Sequence, residues 1–192
     1  MDALRLNRLE STESSAIEDE LVERARLDIS AFADIYVRHR DDVFRYLRSR
    51  CAEPDDALEL TAVTFERALV AIARYRTRGA GLRAWLIRIA RNAAIDHERR
   101  RSHDVRRDED AGAEPRAAPS PEDVAVALDE RRRIRWLVMA LPDPQRDAIA
   151  MRFGADMTAR EIGAVIGKSE EATQKLISRG LTRLREAYRV DA

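Results

Sequence analysis

A single cysteine, Cys51, rules out an internal disulfide. With no second thiol to resolve it, Cys51 reads as a bystander in a reduced compartment. No secretory leader and no run of membrane-spanning length is visible, so a cytoplasmic setting without membrane insertion is expected. His39, His97 and His103 lack the cysteine or carboxylate spacing of a zinc site, so no metal is expected. No Walker loop or dinucleotide fingerprint occurs, and no cofactor is expected. Asp96–His97 is no acid–base pair, because neighbours on a helix point apart. Catalysis is therefore not expected. Net charge is also missing: 35 basic residues balance 35 acidic ones. That balance excludes a uniformly basic protein, but charge is strongly segregated along the chain.

The most informative stretch is Gly81 to Arg101. Leu82, Leu86, Ile89 and Ala93 recur at three- or four-residue steps, and Trp85 widens this apolar face. From Arg83 to Arg107 there are eight arginines against three acids. An anchored helix with a basic outer surface suits a phosphate backbone. A solvated Arg-rich helix is the plainer alternative.

Residues 1–28 carry eight acids and four arginines and read as an acidic extension with a short helix near Ile17. A helical unit is expected over 29–103. Its first helix carries Phe32, Ile35, Tyr36, Val43, Phe44 and Leu47, with a break near Arg40–Asp41 and an end at Pro54. Asp55 or Asp56 is expected to cap the next helix, which runs to about Arg74. Tyr75 to Gly81 reads as a turn. Residues 104–128 read as a flexible acidic tether: Asp108 to Asp129 holds seven acids and one base, with Pro115, Pro119 and Pro121 among them.

Residues 129–192 form a second helical unit. Ile134, Leu137, Val138 and Leu141 make an amphipathic stripe ended by Pro142 and Pro144. A short helix over Gln145–Phe153 follows. Thr158 and Glu161 have capping-box spacing, Gly167–Lys168 is a turn, and Ser169 caps the last helix. Two helices around a glycine turn, the second ending basic, read as a helix-turn-helix. The fold class is therefore all-α: two small helical domains joined by an acidic flexible linker. Two basic units on one tether suit two separated DNA sites.

The stretch G-L-R-A-W-L-I-R-I-A-R-N-A-A-I-D-H-E-R-R resembles the −10-reading segment of bacterial RNA polymerase sigma factors of the extracytoplasmic-function group, within the sigma-70 family. A-L-P-D-P-Q-R-D-A-I-A-M-R-F with T-A-R-E-I-G-A-V-I-G-K-S resembles their −35-reading domain. The resemblance covers about 30–103 and 129–189. It implies a promoter-specificity subunit that binds core RNA polymerase, meets duplex promoter DNA at −35 and a melted strand at −10, and helps open the promoter. Anti-sigma factors and Ser/Thr kinases are the regulatory partners it admits. The rival readings are a helix-turn-helix regulator that does not replace sigma and a helical protein-binding adaptor.

For the −10 region the resemblance points to Arg83, Arg88, Arg91, Asn92, Asp96, Arg99 and Arg100. Asp96 cannot favour DNA by charge and is expected to position an arginine. Trp85 is either core or a stacking platform, and its place in the apolar face favours the core. For −35 the groove-facing candidates are Glu171, Gln174, Lys175, Ser178 and Arg179, with Thr173 and Leu176 as alternatives should the helix be rotated. Gly180 stands where a small helix former is usual, at a cost of about 1 kcal/mol in helix propensity. The core-polymerase surface is placed on Asp55, Asp56, Glu59 and Glu66. Ala62 and Val63 replace the Gln-Glu pair expected there. Thr61 is a candidate phosphosite that could restore the missing charge.

Overall fold

The computed structural model describes residues 16–76, 80–110 and 127–190; side chains of 102–110, 127–129, 131 and 190 are excepted. Among them there is no strand. The helices are α1 (16–27), α2 (Phe32–Arg50), α3 (Pro54–Ala71), α4 (Gly81–Asp110), α5 (Ala127–Met139), α6 (Asp143–Ile149), α7 (Ala159–Ile166) and α8 (Glu170–Val190).

The first unit is α1 to α4. α2 buries Phe32, Ile35, His39, Val43, Tyr46, Leu47 and Arg50, a stripe of three- and four-residue steps. No break occurs at Arg40–Asp41: both lie exposed on the outer side of a continuous helix. Pro54 does not end α2, which stops at Arg50. It opens α3 at the first helical position, where its missing N–H costs nothing. Asp55 and Asp56 accordingly sit inside the first turn of α3 rather than at its cap. α3 packs between α2 and α4, with Leu60, Phe65 and Ala68 in the core.

α1 is more than an appendage. Val22 and Ala25 are buried, and Glu18 Oε2 accepts a hydrogen bond from the Leu82 N–H at 2.9 Å. Glu18 thus satisfies an amide at the start of α4, where Gly81 has φ +73°. Most of the acidic extension, 1–15, lies outside the described residues.

Beside Glu18, His39 is 4% exposed, and neither ring nitrogen makes a hydrogen bond among the described residues. Glu18 Oε1 is 3.9 Å from Nε2. Burial lowers the His39 pKa to about 4 from 6.5, aided by the positive charge of Arg38 and, weakly, Arg83, and opposed by Asp42. The unfolded chain therefore binds this proton before the folded one does. Stability should be level above pH 6.5 and fall as pH drops toward 4. Burial raises the Glu18 pKa, so Glu18 pulls the opposite way just above 4.5. Urea midpoints across this range should decline for the wild type and flatten for His39→Leu. Equal declines would assign the titration to another group.

α4 extends past its expected end and runs helically to Asp110, taking in the first residues of the expected tether. Nothing in 102–110 breaks a helix: there is no proline or glycine. The rest of the tether, 111–126, lies outside the described residues.

In the second unit, Pro142 and Pro144 begin α6 rather than merely closing α5, Pro142 at the N-cap and Pro144 in the first turn. α6 passes into a π-helical turn at Ala150–Gly154. α7 has the full capping box of Thr158 and Glu161, with Glu161 Oε2 accepting from the Thr158 N–H at 2.7 Å. Gly167 closes α7 in the left-handed region at φ 71°. Ser169 Oγ accepts from the Ala172 N–H at 3.2 Å, capping α8. Gly180 has a packing reason: a Cβ there would stand 3.0 Å from Ile149 Cγ1, so its absence lets α8 approach α6.

The two units share one continuous apolar core, which runs from Val22 in α1 to Val165 in α7. α2 packs on the π-turn and α4 on α7.

Candidate nucleic-acid interface

The basic face of α4 points partly at the second unit. Arg88 is exposed and donates from Nη2 to the Ala164 carbonyl on α7 at 2.6 Å. Arg91 Nε donates to Asp147 Oδ2 on α6, also at 2.6 Å. Arg83 pairs with Asp42 Oδ2 on α2 at 3.0 Å. Asn92, Arg99 and Arg100 are exposed. Asp96 accepts from Arg67 Nη1 at 3.0 Å and so holds an arginine of α3 beside α4. Trp85 is half-buried and packs on Tyr75, with ring centroids 4.8 Å apart. In this conformation it belongs to the core margin.

The centre of the contact between the units lies at residues that carry no functional cue in sequence. Asp147 is fully buried. Its Oδ1 accepts from Arg50 Nε at 2.8 Å, and the Tyr46 hydroxyl stands 3.5 Å away. Arg50 itself is 2% exposed and reaches Glu98 Oε2 with Nη2 at 2.9 Å. Arg146 Nη1 meets the other oxygen of Glu98 at 2.9 Å and also pairs with Asp143. Burial, the largest single influence, would lower the Arg50 pKa, but the Asp147 charge, the Tyr46 hydroxyl and the hydrogen bonds to Asp147 and Glu98 together hold the guanidinium above its ordinary value. Burial, then the Asp147 charge, raises the Tyr46 hydroxyl. Arg50, Glu98 and the adjacent pair Arg146–Asp147 are distant from one another in sequence, and no local pattern marks them.

On α8, Glu171, Gln174, Lys175, Ser178 and Arg179 are all exposed, forming one surface of the second helix of the helix-turn-helix. Lys175 Nζ pairs with Glu171 Oε1 at 2.6 Å, a solvent-exposed contact of little stabilising weight. The rotated alternatives fail: Thr173 is fully buried and Leu176 packs on the core. Gln174 and Ser178 also line an open groove with Arg152, Thr158 and Arg185.

On α3, Asp55, Glu59 and Glu66 are exposed, as is Ala62. Asp56 is committed elsewhere, accepting from Arg101 at 3.0 Å with His97 at 3.4 Å. Thr61 is 9% exposed and its hydroxyl donates to the Ala57 carbonyl at 2.7 Å. A kinase cannot reach it without unwinding or moving α3, so the phosphosite reading loses its physical basis in this conformation. Cys51 is 7% exposed, and burial pushes its thiol up to about 11. Among the described residues no group of side chains could hold a metal ion, and no helix is long and apolar enough to cross a membrane.

Family comparisons fit this layout. Residues 35–103 match the model of sigma-70 region 2, and 137–186 match that of sigma-70 region 4. The chain belongs to the sigma-70 family, in its extracytoplasmic-function group. It is 33% identical over 178 residues to the extracytoplasmic-function sigma factor BldN of Streptomyces coelicolor, covering 90% of this chain and 66% of that protein. It is 29% identical over 171 residues to SigW of Bacillus subtilis, covering 84% of this chain and 91% of that one. The solved structure of CnrH in complex with the cytosolic domain of CnrY superimposes with TM-score 0.69 at 23% identity, covering 91% of this chain and 99% of that one. RpoE of Bartonella quintana, bound to the anti-sigma factor NepR, gives 0.65 at 22% identity, with 84% and 98% covered. This sigma factor is thus a promoter-specificity subunit of RNA polymerase, from a family of non-catalytic initiation factors. The regulator and adaptor readings are not favoured.

Proposed function

We propose that this sigma factor reads duplex −35 DNA with the exposed face of α8 and a melted −10 strand with the basic face of α4, while α3 meets core polymerase through Asp55, Glu59 and Glu66. RNA synthesis itself belongs to the polymerase, in the cytoplasm. The observation that carries the reading is the single exposed row on α8, presented by a fully capped helix-turn-helix. Gln174 has the chemistry for bidentate pairing with adenine and Lys175 for guanine, while Arg179 is suited to a phosphate. Anti-sigma factors, the partner named for one structural relative, are the partner class carried over to this chain.

Two substitutions separate these roles on a promoter fragment selected by the holoenzyme. Gln174→Ala should relax base preference at one −35 position, with a discrimination loss of about 1–3 kcal/mol. Arg179→Ala should lower duplex affinity about equally across sequences and reduce the salt slope by about 1, the loss of one phosphate contact. Equal protection of matched and scrambled −35 sequences by the wild-type holoenzyme would contradict direct reading.

A further inference from the structure

The cluster around Asp147 joins the two units through charge. Arg50 and Arg91 belong to the first unit, Asp147 to the second, and both Asp147 oxygens are engaged across the boundary. Arginine forks that hold a carboxylate hold a phosphate equally well. We propose that Arg50 and Arg91 form a phosphodiester-binding site for single-stranded promoter DNA, and that Asp147 occupies it in the free protein as an internal phosphate mimic. The proposal rests on the reading that α4 meets the melted strand, and it adds Arg50 to the residues that do so.

The geometry makes closure and DNA binding exclusive. Asp147 is fully buried and Arg50 nearly so, leaving no room for a phosphate while α6 is docked. Arg88 is occupied by the Ala164 carbonyl in the same closure. The ionic character of the centre suits a reversible contact. A buried ion pair often contributes less than an apolar contact of the same volume, because both charges must leave water. On opening, both regain water; Arg50 keeps its Nη2 contact with Glu98 in the same unit, while the Nε groups of Arg50 and Arg91 are released from Asp147 to take a phosphate oxygen.

Gly154 offers a handle that touches neither charge nor DNA-reading residues. A Cβ at this position would lie 2.5 Å from Ser49 Oγ and 2.8 Å from the Arg45 carbonyl, both on α2. These contacts cross from the second unit to the first, so a side chain here wedges the units apart.

The test uses the full chain and a fluorescein-labelled oligo(dT) strand, which probes backbone binding without sequence. Wild type, Gly154→Ala, Gly154→Leu and Gly154→Leu/Arg50→Ala are compared by anisotropy across salt, with small-angle scattering for opening and circular dichroism for folding. A site open about 10% of the time binds about tenfold more weakly than an open one. Gly154→Leu should therefore enlarge the radius of gyration and tighten strand binding by up to about that factor, with Gly154→Ala between. Adding Arg50→Ala should remove much of the gain and lower the salt slope by about 0.7, one single-strand phosphate contact. A folded, expanded Gly154→Leu protein with wild-type strand affinity would overturn the phosphate site. So would a gain that survives Arg50→Ala with its salt slope intact. A folded series with unchanged dimensions and affinity would overturn the masking. The −10 reading is judged separately: absence of permanganate-reactive thymines with wild-type holoenzyme would remove that reading whatever the free-protein affinities show.

Discussion

Asp147→Ala should separate the two helical units while leaving each folded. In the closed molecule Asp147 is the fully buried counter-charge of Arg50, which is itself only 2% exposed. Removing the carboxylate would strand a buried guanidinium, and breaking such a pair by deleting one partner costs about 3–5 kcal/mol. Arg50 keeps Glu98, itself partly exposed, which lowers the penalty without replacing the two-arginine clasp. The molecule has a way to avoid the cost that a core mutant lacks: it can open and return Arg50 and Arg91 to water. The partners of Asp147, Arg50, Arg91 and Tyr46, all belong to the other unit, so helix α6 loses little of its own packing. The expected result is a larger radius of gyration in small-angle scattering with nearly unchanged helicity. Wild-type dimensions in a folded Asp147→Ala protein would show that the apolar contacts of α2 with the π-turn hold the units together without the charge cluster.

The second large effect is functional and has two opposing parts. Arg88 and Arg91 hold the second unit in the free protein and are also the α4 candidates for the melted strand. Replacing both by Ala should therefore loosen the free molecule yet impair the holoenzyme. Promoter binding through −35 should persist, while permanganate reactivity of the −10 thymines falls to near background. Loss of two single-strand phosphate contacts should reduce the salt slope of strand binding by about 1.4. A variant that is merely misfolded would lose −35 protection as well. Normal thymine reactivity with the double variant would remove these two arginines from strand opening.

What could be read from sequence was what is local. The Thr158–Glu161 capping box, the Gly167 turn and the Ser169 cap each depend on residues within a few positions of one another, and all take the expected form. The apolar stripe of α4 was equally legible, since Leu82, Leu86 and Ala93 are buried. Failures came where tertiary packing outweighed local pattern. The polar pair Arg40–Asp41 suggested a break, but His39 and Val43 on the inner face keep α2 continuous. Thr61 reads in sequence as a candidate phosphosite, but it is buried in α3 with Leu60 and Phe65. Gly180 reads in sequence as a helix weakness, yet a Cβ there would stand only 3.0 Å from Ile149 Cγ1. The Arg50–Asp147–Arg91 cluster was least legible: its members belong to three helices, and each looks in sequence like one more charge on a highly charged chain.

Core-dependent initiation is the property that makes this chain a sigma factor. Core RNA polymerase, the purified full chain and genomic promoter fragments should together yield discrete transcripts that neither protein alone produces. Their start sites should be preceded by a shared pair of elements at −35 and −10. Core enzyme that makes no specific transcript with this chain, while the chain alone protects the same duplex sites, would mean that the chain is a DNA-binding regulator and not a sigma factor.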